Sequence, residues 1–238
     1  MGEGAPPVLT GRDIAVSFAG KTILDVPALA VQPGDLVALT GPSGSGKTTL
    51  LHVLAGILRP DRGSVVWGET DIARLRQAAS DDWRYRNVGL VFQEFHLIDQ
   101  LSPVHNVTLP ATFAHFTVPY ELHRRAQGLL DDFGVPADAH LTRTLSRGER
   151  QRTAIARALL LEPSILLADE PTASLDEESA RQVTDTLIAS ARGQTMVIVT
   201  HDPIVMERCR RIIRLEHGRI VSDDAREPAK PSVAEAAT

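Results

Sequence analysis

Hydrophobic and polar positions alternate in the first part of the chain. Between Val8 and Val31 lie two β-rich runs, LTGRDIAVSF and TILDVPALAV, which are separated by Ala19-Gly20 and followed by the turn sequence QPGD. Runs of this kind, divided by turn residues, are typical of paired antiparallel strands. The segment therefore predicts an antiparallel β layer.

Further along the chain the pattern changes to short, continuously apolar runs, which are typical of strands buried on both faces of a sheet. These runs are Leu36 to Thr40, Val88 to Phe92, Ile165 to Ala168 and Met196 to Val199. A helix is predicted from about Gly46 to Leu58, before Pro60. Another lies between the last two strands, with apolar positions at Ala180, Val183, Leu187, Ile188 and Ala191. Alternating strands and helices predict a parallel sheet.

The stretch after the second apolar strand is mostly helical and predicts an inserted subdomain. Its apolar positions repeat at helical spacing, and Gly134 stands where a C-terminal cap belongs. These positions are Leu122, Ala126, Leu129, Leu130 and Phe133.

Composition narrows the class of protein. The 238 residues are 43% apolar and 23% charged, as in an ordinary globular domain. The single cysteine, Cys209, excludes an intrachain disulfide framework, and the start MGEGAPP lacks the pattern of a secretion signal, so we expect a cytosolic location. The net charge of -5 argues against nucleic acid as a partner. Leu101 to Tyr120 carries no charged residue, but three prolines interrupt it, so it is not a membrane-spanning helix.

A glycine-rich loop joins the first apolar strand to its helix and fits the pattern G-x-x-x-x-G-K-[ST]. Its backbone N–H groups can face the phosphates of a nucleotide, Lys47 can neutralise phosphate oxygens, and the Thr48 hydroxyl can bind Mg²⁺. The alternative is a glycine-rich turn without a ligand. The predicted nucleotide-binding residues here are Gly41, Pro42, Ser43, Gly44, Ser45, Gly46, Lys47, Thr48 and Thr49.

Two carboxylates follow the strand Ile165 to Ala168, at the edge where ligands bind in open α/β sheets. Asp169 can hold Mg²⁺, and Glu170 can polarise the water that attacks the γ-phosphate. A strand that simply ends in solvent is the alternative.

The sequence LSRGE at 145–149 opens a further helix, which Ser146 can cap. Together with the other motifs, it resembles the nucleotide-binding subunit of ATP-binding cassette (ABC) transporters, from about Val8 to Val221. The resemblance covers these features: the phosphate loop, Gln93 after VGLVF, Leu145 to Glu149, Asp169-Glu170, Ser174-Leu175-Asp176, and His201 after MVIVT.

The resemblance implies an α/β fold of the P-loop NTPase (RecA-like) class, with a parallel sheet, an N-terminal antiparallel β layer and an inserted α-helical subdomain. It implies one ABC ATPase domain over residues 1–238. Its expected parts are a nucleotide-binding core at 8–94 and 163–221, a helical subdomain with the signature at 95–162, and a mobile tail at 222–238.

ATP and Mg²⁺ are the implied ligands. The resemblance implies that Phe18 stacks on adenine, that Gln93 contacts Mg²⁺ with Thr48 and Asp169, and that His201 acts with Glu170 in catalysis. Other interpretations stay open: Phe18 in the core, Gln93 in a solvated loop, and His201 as a helix cap or surface residue.

In the family, two head-to-tail subunits complete two sites, which implies a second ABC ATPase subunit, expected to be an identical chain. Ser146 and the Gly148 backbone would reach the γ-phosphate of the opposite subunit, and Asp176 would lie at the same interface. Arg147 and Glu149 depart from the common signature, which has Gly and Gln there. The Arg147 side chain must therefore turn away from the partner's nucleotide.

The run VGLVFQEFHLIDQLSPVHNVTLP resembles the branch that serves lipoprotein release, macrolide efflux and peptide export. This likeness implies a separately encoded membrane permease and a peripheral location on the cytoplasmic side of the membrane, for export or mechanical signalling. Val104, Leu109, Phe113 and Phe116 could line a cleft for that permease, or form the core of the helical subdomain. A small-solute importer subunit and a soluble, non-transport cassette are the alternative functions.

Overall fold

The structure is a computed structural model that describes residues 6–114, 116–173, 175–190 and 193–226. Ser174, Ala191 and residues 227–238 of the expected tail lie outside these ranges.

The described residues form ten strands and seven α-helices, joined by short loops and three 3₁₀ turns. The strands are β1 (Leu9–Phe18), β2 (Lys21–Val31), β3 (Leu36–Thr40), β4 (Arg62–Trp67), β5 (Thr70–Asp71), β6 (Val88–Val91), β7 (Ile165–Asp169), β8 (Thr195–Val199), β9 (Arg211–Glu216) and β10 (Arg219–Ala225). The helices are α1 (Lys47–Leu54), α2 (Gln77–Asn87), α3 (Pro103–Thr108), α4 (Tyr120–Asp132), α5 (Arg147–Leu159), α6 (Glu177–Ser190) and α7 (Pro203–Arg208). The 3₁₀ turns are Ile72–Arg74, Leu109–Phe113 and Thr142–Thr144.

The strands form two sheets. The first is antiparallel, in the order β2-β1-β4-β5. The second has the order β10-β9-β3-β8-β7-β6, in which β9, β3, β8, β7 and β6 run parallel and β10 is an antiparallel edge strand. The predicted α/β fold class, with an antiparallel layer added to a parallel sheet, is confirmed.

The central strands of the parallel sheet are apolar throughout because both of their faces are buried. In β7, Ile165 and Leu167 pack with the antiparallel sheet and α1, whereas Leu166 and Ala168 pack with the helical segment. Successive strand residues point to opposite faces, so alternate side chains enter the two hydrophobic layers. This arrangement fixes the carboxyl ends of the strands, where the phosphate loop and the acidic pair lie.

The helical segment is inserted between β6 and β7, and α3, α4 and α5 pack against one another there. Asn106, which is fully buried, links its parts. Its amide nitrogen donates to Ile98 O (2.9 Å) and Thr142 Oγ1 (2.8 Å), and its Oδ1 accepts from Ile98 N (2.7 Å). These bonds hold the loop that follows β6 against α3.

The expected start of the tail at Ser222 is wrong, because β10 continues to Ala225. Asp223 pairs with Ile213 along β9, and its carboxylate accepts hydrogen bonds from the Arg211 guanidinium at 2.5 and 2.6 Å. The polar sequence of this segment reflects an exposed edge strand, in which hydrogen bonding to one neighbour suffices without burial of side chains.

Helix α1 is shorter than its prediction and ends at Leu54. The chain turns at Gly56, whose φ of +66° glycine adopts without strain, and a Cβ there would lie 3.0 Å from Ser80 Oγ. In the described part of the chain, no helix has both the length and the apolar character needed to cross a membrane.

We predict that the Cys209 thiol is unreactive in the folded protein. The side chain is 1% exposed, and burial raises the pKa of the Cys209 thiol to about 12, so thiolate is scarce at pH 8. Its reaction with an aromatic disulfide reagent should be about a hundredfold or more slower in native protein than in urea-unfolded protein. Equal rates in the two states would contradict the buried position.

Candidate nucleotide-binding site

The phosphate loop between β3 and α1 has a backbone that only glycine tolerates at two positions. Gly41 has φ +143°, and a Cβ on it would lie 2.0 Å from Leu215 O. Gly46 has φ +101°, and a Cβ there would lie 2.8 Å from Leu24 Cδ2. Gly41 and Gly46 are therefore required by close packing against β9 and β2.

Lys47 is the first residue of α1, and its side chain points back to the phosphate loop. Its Nζ donates to the carbonyl oxygens of Gly41 and Pro42, both at 2.9 Å. The partial positive charge of the α1 N-terminus lies beside this ammonium group. Ser45 Oγ is buried and has no hydrogen-bond partner among the described residues. The loop therefore concentrates positive charge and polar groups suited to an anion.

The acidic pair lies at the carboxyl end of β7. Glu170 has a left-handed backbone, with φ +48°, and its N–H donates to Val199 O at 2.8 Å. Non-glycine residues adopt this conformation at a cost that often marks a functional position. Asp169 is buried, and the Glu170 side chain is mostly buried.

His201 follows β8 and contacts Glu170. Its Nδ1 lies 2.8 Å from Glu170 Oε1, and the N–H must donate because an ionised carboxylate only accepts. Glu170 Oε2 is buried and has no donor among the described residues. The Glu170 carboxylate is therefore bonded to His201 at one oxygen, and its other oxygen has no hydrogen-bond partner among the described residues.

The loops after β7 and β8 are joined by a further contact that the sequence did not predict. Thr172 Oγ1 donates to Asp202 Oδ2 at 2.7 Å, and Asp202 Oδ1 accepts from Ile204 N at 2.9 Å. Asp202 therefore caps α7. The interpretation of His201 as a helix cap is wrong, because its neighbour fills that position.

One cavity of about 720 Å³ brings most of the predicted residues together. Its predicted lining residues are Phe18, Gly41, Ser43, Gly44, Gly46, Lys47, Thr48, Thr49, Gln93, Asp169, Glu170 and His201. Ile23, Ala173 and Val199 also line it and were missed. Ile23 lies on β2, where only the pairing of β1 and β2 brings it beside Phe18. Pro42 and Ser45 belong to the loop without lining the cavity.

Phe18 lies at the end of β1 on the wall of this cavity. Its side chain is 52% exposed, so the interpretation of Phe18 as a core residue is wrong. An exposed aromatic ring beside a phosphate loop provides an apolar surface for a flat ring. Gln93 is also exposed and lines the cavity, at the start of the loop after β6.

The signature residues Ser146, Arg147, Gly148 and Glu149 lie at the start of α5 and do not line this cavity. Ser146 caps the helix: its Oγ accepts from Glu149 N (3.3 Å), and Glu149 Oε2 accepts from Ser146 N (2.7 Å). This reciprocal pair is a capping box.

Asp176 also lies outside the cavity, just before α6. Its carboxylate accepts from Ser179 N at 3.0 Å and Ser179 Oγ at 2.7 Å. These bonds lower the pKa of Asp176, so the carboxylate stays ionised at the start of the helix.

The donor set around the phosphate loop fits Mg²⁺. Thr48, Gln93 and Asp169 bring a hydroxyl, an amide and a carboxylate to one cavity, and hard oxygen donors of this kind suit that ion. The unpartnered Glu170 Oε2 adds an acceptor beside them.

This arrangement defines a P-loop nucleotide-binding protein. The family model described as "ABC transporter" matches residues 24–173, which is more than half of the sequence. The chain belongs to the ABC transporter family and contains its ATPase cassette.

Two relatives from this family illustrate the similarity. A macrolide export ATP-binding/permease protein of Sodalis glossinidius is 44% identical over 214 residues, which cover 89% of this chain and 33% of that protein. A lipoprotein-releasing system ATP-binding protein of Geobacter metallireducens is 41% identical over 211 residues, covering 86% of this chain and 93% of the relative. The chain thus spans about a third of the macrolide export relatives it matches.

A solved structure titled as a dimeric, post-hydrolysis ATP-binding cassette bound to ADP and Pi has the same fold. It superposes with a TM-score of 0.84 at 31% identity, covering 91% of this chain and 98% of that one.

The substitution Gly41→Ala should destabilise the protein by more than about 2 kcal/mol and weaken nucleotide binding about tenfold or more, because it strains the loop and collides with Leu215 O. Urea unfolding and titration with a fluorescent ATP analogue measure the two effects. Gly128→Ala is the matched control: it lies on an exposed face of α4 with open space around it, so it should not destabilise. Unchanged binding in Gly41→Ala would contradict the role of the loop.

Proposed function

We propose that this chain binds and hydrolyses ATP as a head-to-tail dimer around two MgATP and powers a membrane permease of the lipoprotein-release or macrolide-export kind. The observation that carries the proposal is the single cavity that holds Lys47, Asp169, Glu170 and His201 together. The names of the relatives favour this branch over a solute importer or a non-transport cassette.

In this proposal ATP lies along the cavity from Phe18 to the phosphate loop. The Phe18 ring stacks on adenine, the N-terminal amides of α1 bind the phosphates, and Lys47 exchanges its loop carbonyl contacts for phosphate oxygens. Thr48, Gln93 and Asp169 would hold Mg²⁺. When bound, this ion neutralises charge on the β- and γ-phosphates.

Glu170 acts as the residue that polarises the attacking water. One of its oxygens accepts a hydrogen bond from His201 Nδ1–H, so the carboxylate is oriented to accept a proton from the attacking water. His201 is largely exposed at the cavity. Because its Nδ1–H donates to Glu170, the ring would donate from Nε2 to the γ-phosphate as an imidazolium, which carries a proton on each nitrogen. The left-handed backbone of Glu170 contributes to the orientation of its carboxylate.

A second subunit supplies the other half of each site. Ser146 and Gly148 lie away from the cavity of their own chain, so they act only on a nucleotide bound by a partner. The Ser146 hydroxyl accepts from Glu149 N and keeps its own O–H available for a phosphate oxygen. Asp176, ionised at its helix start, lies in the same interface.

A second cavity of about 780 Å³ provides the surface for the permease on the cytoplasmic side of the membrane. Its apolar wall includes Tyr85, Phe92, Pro110 and Phe113, and Phe113 is 83% exposed. An exposed aromatic group of this kind favours a helix from a partner.

Of the two interpretations of Val104, the one that places it in the core of the helical subdomain agrees with the structure, because Val104 is buried there. Leu109 is half-buried, and Phe116 is fully exposed nearby in the chain.

The two cavities meet at one point of the chain. Phe92 lines the cavity proposed for the permease and Gln93 lines the nucleotide cavity, so adjacent residues face the permease and the nucleotide. A shift of this segment on partner binding therefore moves Gln93, which couples transport to hydrolysis.

Glu170→Gln should bind ATP with little change, hydrolyse it at least about a hundredfold more slowly, and accumulate as an ATP-bound dimer, because an amide cannot accept the proton from water. Phosphate release and analytical ultracentrifugation measure these properties. Asp132→Asn serves as the control, because Asp132 is an exposed carboxylate on α4 that lines neither cavity, so this variant should hydrolyse ATP like the unmodified protein. Normal turnover in Glu170→Gln would remove Glu170 from the mechanism.

Phe113→Asp and Phe116→Asp should leave the isolated protein folded but prevent a multi-span membrane protein from co-purifying with it, because a carboxylate on this surface opposes burial of apolar groups. Val221→Asp is the control, since Val221 is an exposed apolar residue on β10 outside the permease cavity. Circular dichroism checks folding, and mass spectrometry of complexes from native membranes measures the association. Retained association in both Phe variants would refute the docking surface.

A further inference from the structure

The loops after β7 and β8 carry Glu170 and His201, and each loop is anchored at the end of its strand. Glu170 N donates to Val199 O at 2.8 Å, and the Glu170 carbonyl accepts from Ala173 N at 3.1 Å, which closes a turn after β7. On the other loop, Thr200 directly follows β8 and is fully buried. The two side chains therefore leave the ends of neighbouring central strands, on loops that are distant in the sequence.

The Asp202 carboxylate joins these two loops. Its Oδ2 accepts from Thr172 Oγ1 at 2.7 Å, and its Oδ1 accepts from Ile204 N at 2.9 Å. The N–H of Asp202 donates to Thr200 Oγ1 at 3.0 Å, so the residue is also tied to the end of β8. Thr172 is 4% exposed, and a hydrogen bond in such a buried position is costly to lose because its acceptor is left unsatisfied.

The two bonded residues stand beside the reacting pair in the sequence. Thr172 lies in the turn that Glu170 opens, and Asp202 directly follows His201. Glu170 Oε1 and His201 Nδ1 are 2.8 Å apart, but the His201 side chain is 78% exposed and gains little from packing. The separation of these two groups therefore depends on the distance between their loops, which the bond from Thr172 to Asp202 fixes.

We propose that Thr172 and Asp202 are positioning residues for ATP hydrolysis, whose hydrogen bond keeps His201 within bonding distance of Glu170. This inference rests on the proposed roles of Glu170 and His201. Neither Thr172 nor Asp202 lines the nucleotide cavity, so they act through the reacting pair and not on ATP itself. A small displacement of a reacting group is costly to the rate, so kcat is the quantity that this bond controls.

The test measures kcat and KM for ATP by phosphate release from the full chain. Thr172→Val keeps the shape of the side chain but removes the hydroxyl, so kcat should fall about tenfold or more while KM changes less than about twofold. Thr172→Ser loses a methyl group but keeps the hydroxyl, so it should recover kcat to within about threefold of the unmodified protein. If Thr172→Val fails to fold, Thr172→Ala replaces it.

Thr184→Val is the matched control for the loss of a buried hydroxyl. Thr184 is 1% exposed, and its Oγ1 donates to Ala180 O at 2.7 Å within α6, outside the cavity. This variant should lower the unfolding temperature as Thr172→Val does, but its kcat should stay unchanged. An equal fall of kcat in Thr184→Val would assign the effect to stability and overturn the inference.

Asp202→Ser gives an independent measure of the same bond. A serine hydroxyl can still cap α7, but its shorter side chain does not keep the bond to Thr172. We expect kcat to fall as in Thr172→Val, and the double variant should lose less than about twofold more, because both changes remove one interaction. Two unrelated structural defects would instead multiply their effects.

Sedimentation with ATP in the Glu170→Gln background checks that Thr172→Val dimerises as the background does. Weaker dimerisation would overturn the inference, because the lower kcat would then arise from subunit contact. Normal kcat in Thr172→Val, no recovery in Thr172→Ser, or multiplied losses in the double variant would overturn it too. Each of these results leaves the proposed function intact as long as Glu170→Gln is slow, whereas normal turnover in Glu170→Gln would refute both.

Discussion

The close packing of the phosphate loop against the turn between β9 and β10 is the constraint on which the rest of the site depends. Gly218 N donates to Ser45 O at 3.0 Å, and Gly218 O accepts from Asp25 N of β2 at 2.9 Å. A Cβ on Gly218 would lie 2.3 Å from Ile23 O. The loop, the parallel sheet and the antiparallel sheet therefore meet at one point where only backbone fits. This junction places the antiparallel sheet, and with it Phe18 at the end of β1, beside the cavity.

The position of Glu170, across the cavity from the phosphate loop, depends on hydrogen bonds that hold the loops after β7 and β8 together. The Glu170 N–H bonds to Val199, and Thr172 bonds to Asp202, so the ends of β7 and β8 are joined on both sides of the acidic group. This bracing stabilises the left-handed backbone of Glu170, which an isolated turn would not favour. A carboxylate that must act on a particular water needs such orientation, because misplacement of a reacting group is costly to the rate.

Helix α5 contributes to three parts of the structure that the proposed function uses. Its N-terminus presents Ser146, its arginines hold the loop at Phe95, and Arg157 reaches the wall of the permease cavity. Burial lowers the pKa of Arg157, which shows how far this side chain is withdrawn from water to make its contacts. In the proposed assembly, this helix would link the surface for the membrane partner to the surface for the second cassette.

The sequence by itself determined the features that depend on neighbouring residues. The phosphate loop, the apolar strands and the Ser146 cap could be recognised because the residues that define each pattern lie within a few positions along the chain. It also indicated Glu170 and His201 separately, but only the tertiary structure brought their side chains to 2.8 Å across 31 positions. The exposure of Phe18, the burial of Val104, the edge strand at Ser222 to Ala225 and the contact of Arg147 with Phe95 were likewise decided by the packing of distant segments. An apolar or charged residue has the same identity in the core and at the surface, and only the elements that pack around it determine which environment it meets.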